Sequence, residues 1–166
     1  AASVFLQRNG LTRSGIFGAY HADPQAFRCV AEADSLPGKP YDYILICTKS
    51  YDSGKVAREL AGHPALLYEQ TRIILFQNGW GNSDTFAALF PREIIYNARV
   101  LTGFHRVNRS HVEVTAHVEP IHIGSLFGKG IGETEDLCQL ITEGDIPCKA
   151  TLDIKKDIWA KMLFNC

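Results

Sequence analysis

Two continuous apolar runs, Tyr43-Ile44-Leu45-Ile46-Cys47-Thr48 and Ile73-Ile74-Leu75-Phe76, constrain the fold of this chain more than any other feature. Neither alternates polar with apolar residues, so each suits a strand covered on both faces, as in a parallel sheet. Between them, after Ser53, the residues Val56, Ala57, Leu60 and Ala61 recur at helical spacing, which makes a strand, helix, strand unit. A second helix is expected through Phe86, Ala87, Leu89 and Phe90, capped by Asn82 or Ser83 and stopped at Pro91, before a third strand at Ile94-Ile95-Tyr96. Buried strands alternating with amphipathic helices define an α/β class with a mainly parallel sheet.

The flanking segments are less regular. Residues 3–9 read as the end of a helix with Gly10 as its stop, 15–18 as a short extended or turning segment, and Phe27-Arg28-Cys29-Val30 as a short strand. Beyond Val100 the pattern changes: Val112, Val114, Ala116 and Val118 alternate with polar residues, and Ile121-His122-Ile123 follows Pro120, which predicts half-exposed antiparallel strands. Leu137, Leu140 and Ile141 mark one face of a helix over 133–143, residues 146–150 a last strand, and Asp153 the cap of a closing helix.

Composition removes several function classes. A formal net charge of -1, with 17 scattered basic residues, leaves no electrostatic footprint for nucleic acid. No stretch approaches the roughly 20 apolar residues of a membrane span, and the five cysteines lack any CxxC pair, so they read as reduced thiols of a cytoplasmic protein. His105, His111, His117 and His122 lack metal-ligand spacing, and no metal site is expected. Gly128-Lys129-Gly130-Ile131-Gly132 is not read as a dinucleotide loop, because Glu133 stands where the sixth-position glycine belongs and its carboxylate would oppose a pyrophosphate.

Polar residues at the strand ends carry more chemistry. Thr48-Lys49 and Gln77-Asn78-Gly79 follow the two buried runs at their carboxyl ends, the edge where ligands of open α/β sheets bind. Lys49 could meet a phosphate there and Asn78 a ribose, a carboxamide or a substrate hydroxyl; equally, Asn78-Gly79 could be a plain turn and Lys49 a solvated strand end. In the closing helix Ile154, Ile158, Trp159, Met162, Leu163 and Cys166 form a broad apolar face, with Lys161 and Asn165 at its edge one turn apart. That lysine and amide could hold a carbonyl oxygen, or Lys161 could simply snorkel to water.

These pieces occur in an order that resembles the ketopantoate reductase (2-dehydropantoate 2-reductase) family. The resemblance is carried by the strand end 41–49, by Gln77-Asn78-Gly79-Trp80-Gly81, by Thr102-Gly103 and His122-Ile123-Gly124, and by Asp153-Ile154 followed by Trp159-Ala160-Lys161 and Asn165. It implies a partial Rossmann-like, NADP-binding domain over residues 1–151 and, from 152 to 166, the first helix of an all-α C-terminal domain. The implied reaction is reduction of the ketone of 2-dehydropantoate to pantoate by NADPH. By motif position, Lys161 matches the catalytic lysine, and Asn78 matches an asparagine between cofactor and substrate. Asn165 matches a substrate-binding amide, and Thr48, Lys49, Gln77 and Thr102 match cofactor contacts.

The family's glycine fingerprint is expected before Ala1 and most of its helical domain after Cys166, so the chain reads as an internal fragment that is inactive in isolation. A small 2-oxo acid is the expected partner, with no nucleic acid and no membrane, and a homodimer is left open. Two other readings stand beside this one: a related reductase acting on a different 2-oxo acid, and a non-catalytic nucleotide-binding or interaction module of the same fold.

Overall fold

The computed structural model describes residues 2–164. The chain divides into two compact units, one made of the segment up to Pro37 together with Leu101–Glu119, the other of Gly38–Val100 and the segment from Pro120 onward.

The first unit opens on helix α1 (Ala2–Asn9), which Gly10 ends by donating its N–H to the Leu6 carbonyl at 2.9 Å. Strands β1 (Leu11–Gly15) and β2 (Tyr20–Ala22) form an antiparallel pair. Within the same unit, β6 (Thr102–Arg106) and β7 (His111–His117) also pair antiparallel, and β7 runs parallel to β1. The expected strand at 27–30 does not form. The backbone of that segment is tied to a side chain instead: Cys29 N–H donates to Gln7 Oε1 at 2.8 Å, while Gln7 Nε2 donates to the Pro24 carbonyl at 2.8 Å. With such a local partner the segment needs no ladder.

The second unit holds a five-stranded sheet in the order β3-β4-β5-β8-β9, built from β3 (Tyr43–Ile46), β4 (Arg72–Leu75), β5 (Ile95–Arg99), β8 (Ile121–Gly124) and β9 (Cys148–Ala150). The β3–β4, β4–β5 and β8–β9 pairs are parallel and only β5–β8 is antiparallel, so the α/β class with a mainly parallel sheet holds. Helices α2 (Ser53–Ala61), α3 (Asn82–Ala87), α4 (Gly132–Glu143) and α5 (Ile154–Phe164) complete the unit.

Position in the sheet decides which runs are covered. Central β4 buries Ile73, Ile74 and Leu75 completely, whereas β3 pairs only with β4 among the described residues and leaves Leu45 45% exposed, against the expectation of burial on both faces. Strand β8, expected to be half-exposed, is buried at all four positions because β5 and β9 flank it and α5 packs on it. Helix α3 starts after Gly81, not after a capping Asn82 or Ser83, because both side chains are drawn inward: Ser83 Oγ donates to Asn97 Oδ1 at 2.6 Å and Asn82 Nδ2 to the Asn78 carbonyl at 3.1 Å. In α4 the inward face carries Thr134, Leu137 and Cys138 with half-buried Ile141, while Leu140 points outward at 59% exposure.

The main core gathers Ile74, Tyr96, Ala98, Ile121, Ile123, Leu137 and Cys138 from β4, β5, β8 and α4. Truncating Ile74 to alanine should leave a cavity that this strand-bound surrounding cannot close. A loss of about 2–5 kcal/mol is expected, read as a lower denaturant midpoint with unchanged slope.

Candidate active site

The carboxyl ends of β3 and β4 lead into the two polar segments singled out above. Gln77 is buried, and its side-chain amide donates to Thr48 Oγ1 and to the Lys49 carbonyl, both at 3.2 Å, which fixes the two strand ends to each other. Beneath them buried Ser53, at the start of α2, places its hydroxyl 2.8 Å from Asn82 Oδ1 and 3.1 Å from Gln77 Oε1. Polar side chains buried with their partners made specify a single loop geometry, since an unmade bond there would leave a desolvated group. The Thr48 and Lys49 residues themselves remain exposed.

Next in the chain, Gly79 (φ 91) and Gly81 (φ 88) take left-handed backbone conformations on either side of Trp80, and a side chain built at either glycine would meet nothing within 4 Å. The turn therefore needs glycine for its backbone and not for space, and its outer face stays open. Trp80 lies against Trp159 of α5 with ring centroids 5.2 Å apart.

Helix α5 supplies the remaining groups, but with a different face from the one its apolar stripe suggests. Ile154 and Ile158 are buried, whereas Trp159 is 44% and Leu163 74% exposed. The side of the helix packed on β5 and β8 carries Ile154, Asp157, Ile158 and Lys161. The sheet accepts this more polar flank because it holds a partner for each polar group. Asp157 Oδ2 lies 2.6 Å from His122 Nδ1 on β8, and Lys161 Nζ donates to Asn78 Oδ1 at 2.5 Å and to the Val100 carbonyl at 2.6 Å. Lys161 thus does not snorkel; it is half-buried and bonded. Burial, and secondarily the nearby Arg99 cation, hold its pKa below the ordinary lysine value.

Lys161, Asn78, Gly79, Arg99, Ile158 and Met162 line one cavity of about 30 Å³, room for roughly one water-sized group. Two acceptors account for two of the three ammonium hydrogens. The third can serve an oxygen in that cavity, the arrangement an oxyanion requires. Lys161, Asn78, Gln77, Thr48 and Lys49 are thus brought into one unit. Thr102 lies in the first unit, where its hydroxyl is 3.0 Å from His117 Nδ1. Asn165 falls outside the described residues. Arg99 and Asp157 carry no motif in the sequence, and His122 was read there only as a non-ligand and as part of His122-Ile123-Gly124; the one available signal for Asp157 was its place a helical turn before Lys161. His111 Nε2 lies 2.7 Å from Ser14 Oγ and His117 Nδ1 3.0 Å from Thr102 Oγ1, and the described residues include no group of three or more His, Cys, Asp or Glu able to hold a metal ion.

A family model described as ketopantoate reductase PanE/ApbA matches residues 5–128. The chain belongs to this family. Among ketopantoate reductases, the 2-dehydropantoate 2-reductase of Aquifex aeolicus (strain VF5) is 26% identical over 168 aligned positions, which cover 99% of this chain and 52% of the relative. The solved 2-dehydropantoate 2-reductase of Geobacter metallireducens GS-15 is 26% identical, with a TM-score of 0.77 over 95% of this chain and 50% of that one. A D-mandelate dehydrogenase in ternary complex with NADH and anilino(oxo)acetate, only 17% identical, shares the fold with a TM-score of 0.75 over 96% of this chain and 49% of its own. This chain spans about half the length of the first of these curated relatives. None of its described helices is long and apolar enough to cross a membrane.

Proposed function

We propose that the protein carrying this chain is an NADPH-dependent reductase of a 2-oxo acid, with 2-dehydropantoate as substrate and pantoate as product. The observation that carries this reading is the Lys161 ammonium, half-withdrawn from water and aimed by Asn78 and Val100 into a cavity of one-oxygen size. Family membership and the NADH-bound relative of the same fold support a nicotinamide cofactor.

The residues present fit such a group. The glycine-flanked turn at 79–81 leaves backbone open to a flat ligand, and the linked ends of β3 and β4 offer Thr48, Lys49, Gln77 and Asn78 to hold it. When bound, the reduced nicotinamide supplies the hydride that the ketone carbon receives. Lys161 does the rest: its ammonium hydrogen-bonds the carbonyl oxygen, stabilises the negative charge that grows there and delivers the proton that completes the alcohol. Asn78 keeps the ammonium pointed at that oxygen, and Asn165, one turn further along, is assigned to the substrate. The segment from Ile154 onward is read as the first helix of the helical domain, carried on the sheet of the nucleotide-binding part.

The adjoining Trp80 and Trp159 rings, tilted by 39° to each other, both more than 40% exposed and each next in sequence to a residue lining the cavity, favour a second reading, a 2-oxo acid with an aryl substituent. Loss of NADPH absorbance with the full-length protein and a panel including 2-dehydropantoate and phenyl-2-oxoacetate separates the two. Turnover of the first with a higher kcat/KM is the expected result. NADPH binding without oxidation by any small 2-oxo acid would leave the non-catalytic module.

A further inference from the structure

We propose that Arg99 is a positioning residue for Lys161: a guanidinium anchored through His122 to Asp157 that shares the Lys161 cavity and governs how readily the ammonium releases its proton. The inference rests on Lys161 being the proton donor.

Three observations carry it. First, Arg99, at the end of β5, is only 3% exposed, and it lines the same cavity as Lys161, Asn78 and Met162. A permanently charged side chain is rarely buried without a role for the charge, and an arginine keeps that charge at any pH an enzyme meets. Second, it is held in place: Arg99 Nη2 lies 2.8 Å from His122 Nδ1 and 3.3 Å from Nε2, and His122 Nδ1 is 2.6 Å from Asp157 Oδ2. One ring nitrogen cannot accept from Arg99 and donate to Asp157 at once. With the hydrogen of Nδ1 toward the carboxylate, Nε2 is the ring nitrogen left to accept from Arg99. Third, Asp157 precedes Lys161 by one turn on the same helix, so this chain of contacts fixes the rotation of α5 as well as the guanidinium.

Among the described residues, the titratable and charged groups on the elements around the ammonium are Arg99 from β5, His122 from β8 and Asp157 from α5 itself, while its two hydrogen-bond partners there are neutral oxygens. The carboxylate is engaged by His122, so the nearby fixed charge acting on Lys161 is that of Arg99. Like charge in a partly dry site favours release of a proton, in agreement with the lowered pKa of Lys161.

The test is a ¹⁵N NMR titration of the Lys161 side chain in the full-length protein, alongside the pH profile of kcat. Arg99→Gln should raise the Lys161 midpoint, and the alkaline limb of kcat with it, by on the order of one pH unit. Arg99→Lys, which restores the cation, should return both toward the parent. Should Arg99→Gln fail to fold, Arg99→Met, which keeps the stem and removes the charge, replaces it with the same expected rise. An unmoved midpoint in the variant that folds would overturn the role of Arg99. So would a raised KM with an unchanged pH profile, which would make Arg99 a substrate contact. A moved midpoint with an unmoved kcat profile would instead overturn Lys161 as proton donor, which separates the two failures.

Discussion

Replacing Lys161 by alanine is expected to lower kcat for 2-oxo acid reduction by about 10²–10⁴-fold while leaving NADPH affinity nearly intact. The ammonium is the group placed to meet charge growing on the ketone oxygen, and that charge exists only in the transition state, so its removal acts on turnover and little on binding. The same substitution should not weaken the fold. Folding holds the pKa of Lys161 below its ordinary value, which means that the charged form is disfavoured by the native environment. That penalty is present in full below the folded pKa and fades as pH rises from the folded toward the unfolded value, because the unfolded chain then binds more protons. Activity through a protonated Lys161 should therefore fall with rising pH in the same window in which its contribution to stability improves. Urea titration of Lys161→Ala beside steady-state kinetics checks both: lost turnover with an unchanged or slightly higher midpoint is expected.

Gly124→Ala should produce the opposite combination, a loss of stability and of activity together. Gly124 closes β8 where the start of α5 crosses it. An added methyl would collide with the Thr151 carbonyl and come within 2.9 Å of Ile154 Cβ. Neither neighbour can yield easily, since one is backbone and the other is the fully buried residue that seats α5. Overpacking of this kind costs about 1–3 kcal/mol or more. The helix can relieve it only by moving off the sheet, which would carry Lys161 away from Asn78 and Val100. A lower denaturant midpoint with kcat reduced at least tenfold is expected. Stability loss with full turnover would mean that the seating of α5 does not set the position of Lys161.

The two apolar runs announced β3 and β4 because short β-branched runs bounded by turn residues suit strands, although β3 leaves Leu45 exposed. The β1–β2 ribbon was not legible: Leu11-Thr12-Arg13-Ser14-Gly15 has no alternation, and its strands bury little. The segment at 27–30 misled for the converse reason, since its apolar residues satisfy their backbone through Gln7, a partner 22 residues away that no local pattern reveals. Thr48-Lys49 and Gln77-Asn78 could be placed at a ligand edge by strand polarity alone, but not joined, because the joining bonds come from the side chain of Gln77. Lys161 looked like the margin of an apolar stripe, because periodicity ranks faces by hydrophobicity. The sheet chose the flank whose polar groups found partners, and those partners lie 35 and 83 residues away along the chain. Arg99 was invisible for the same reason: a charged residue in a strand reads as exposed until the strand is seen to be covered.

The central claim is that the Lys161 ammonium receives the ketone oxygen. The most direct measurement is a crystal structure of the full-length protein in a dead-end complex with NADP and 2-dehydropantoate. The expected result is the keto oxygen within about 2.6–3.2 Å of Lys161 Nζ, in the cavity beside Asn78. A keto oxygen held by another group, with Lys161 bonded only to Asn78 and Val100, would contradict it.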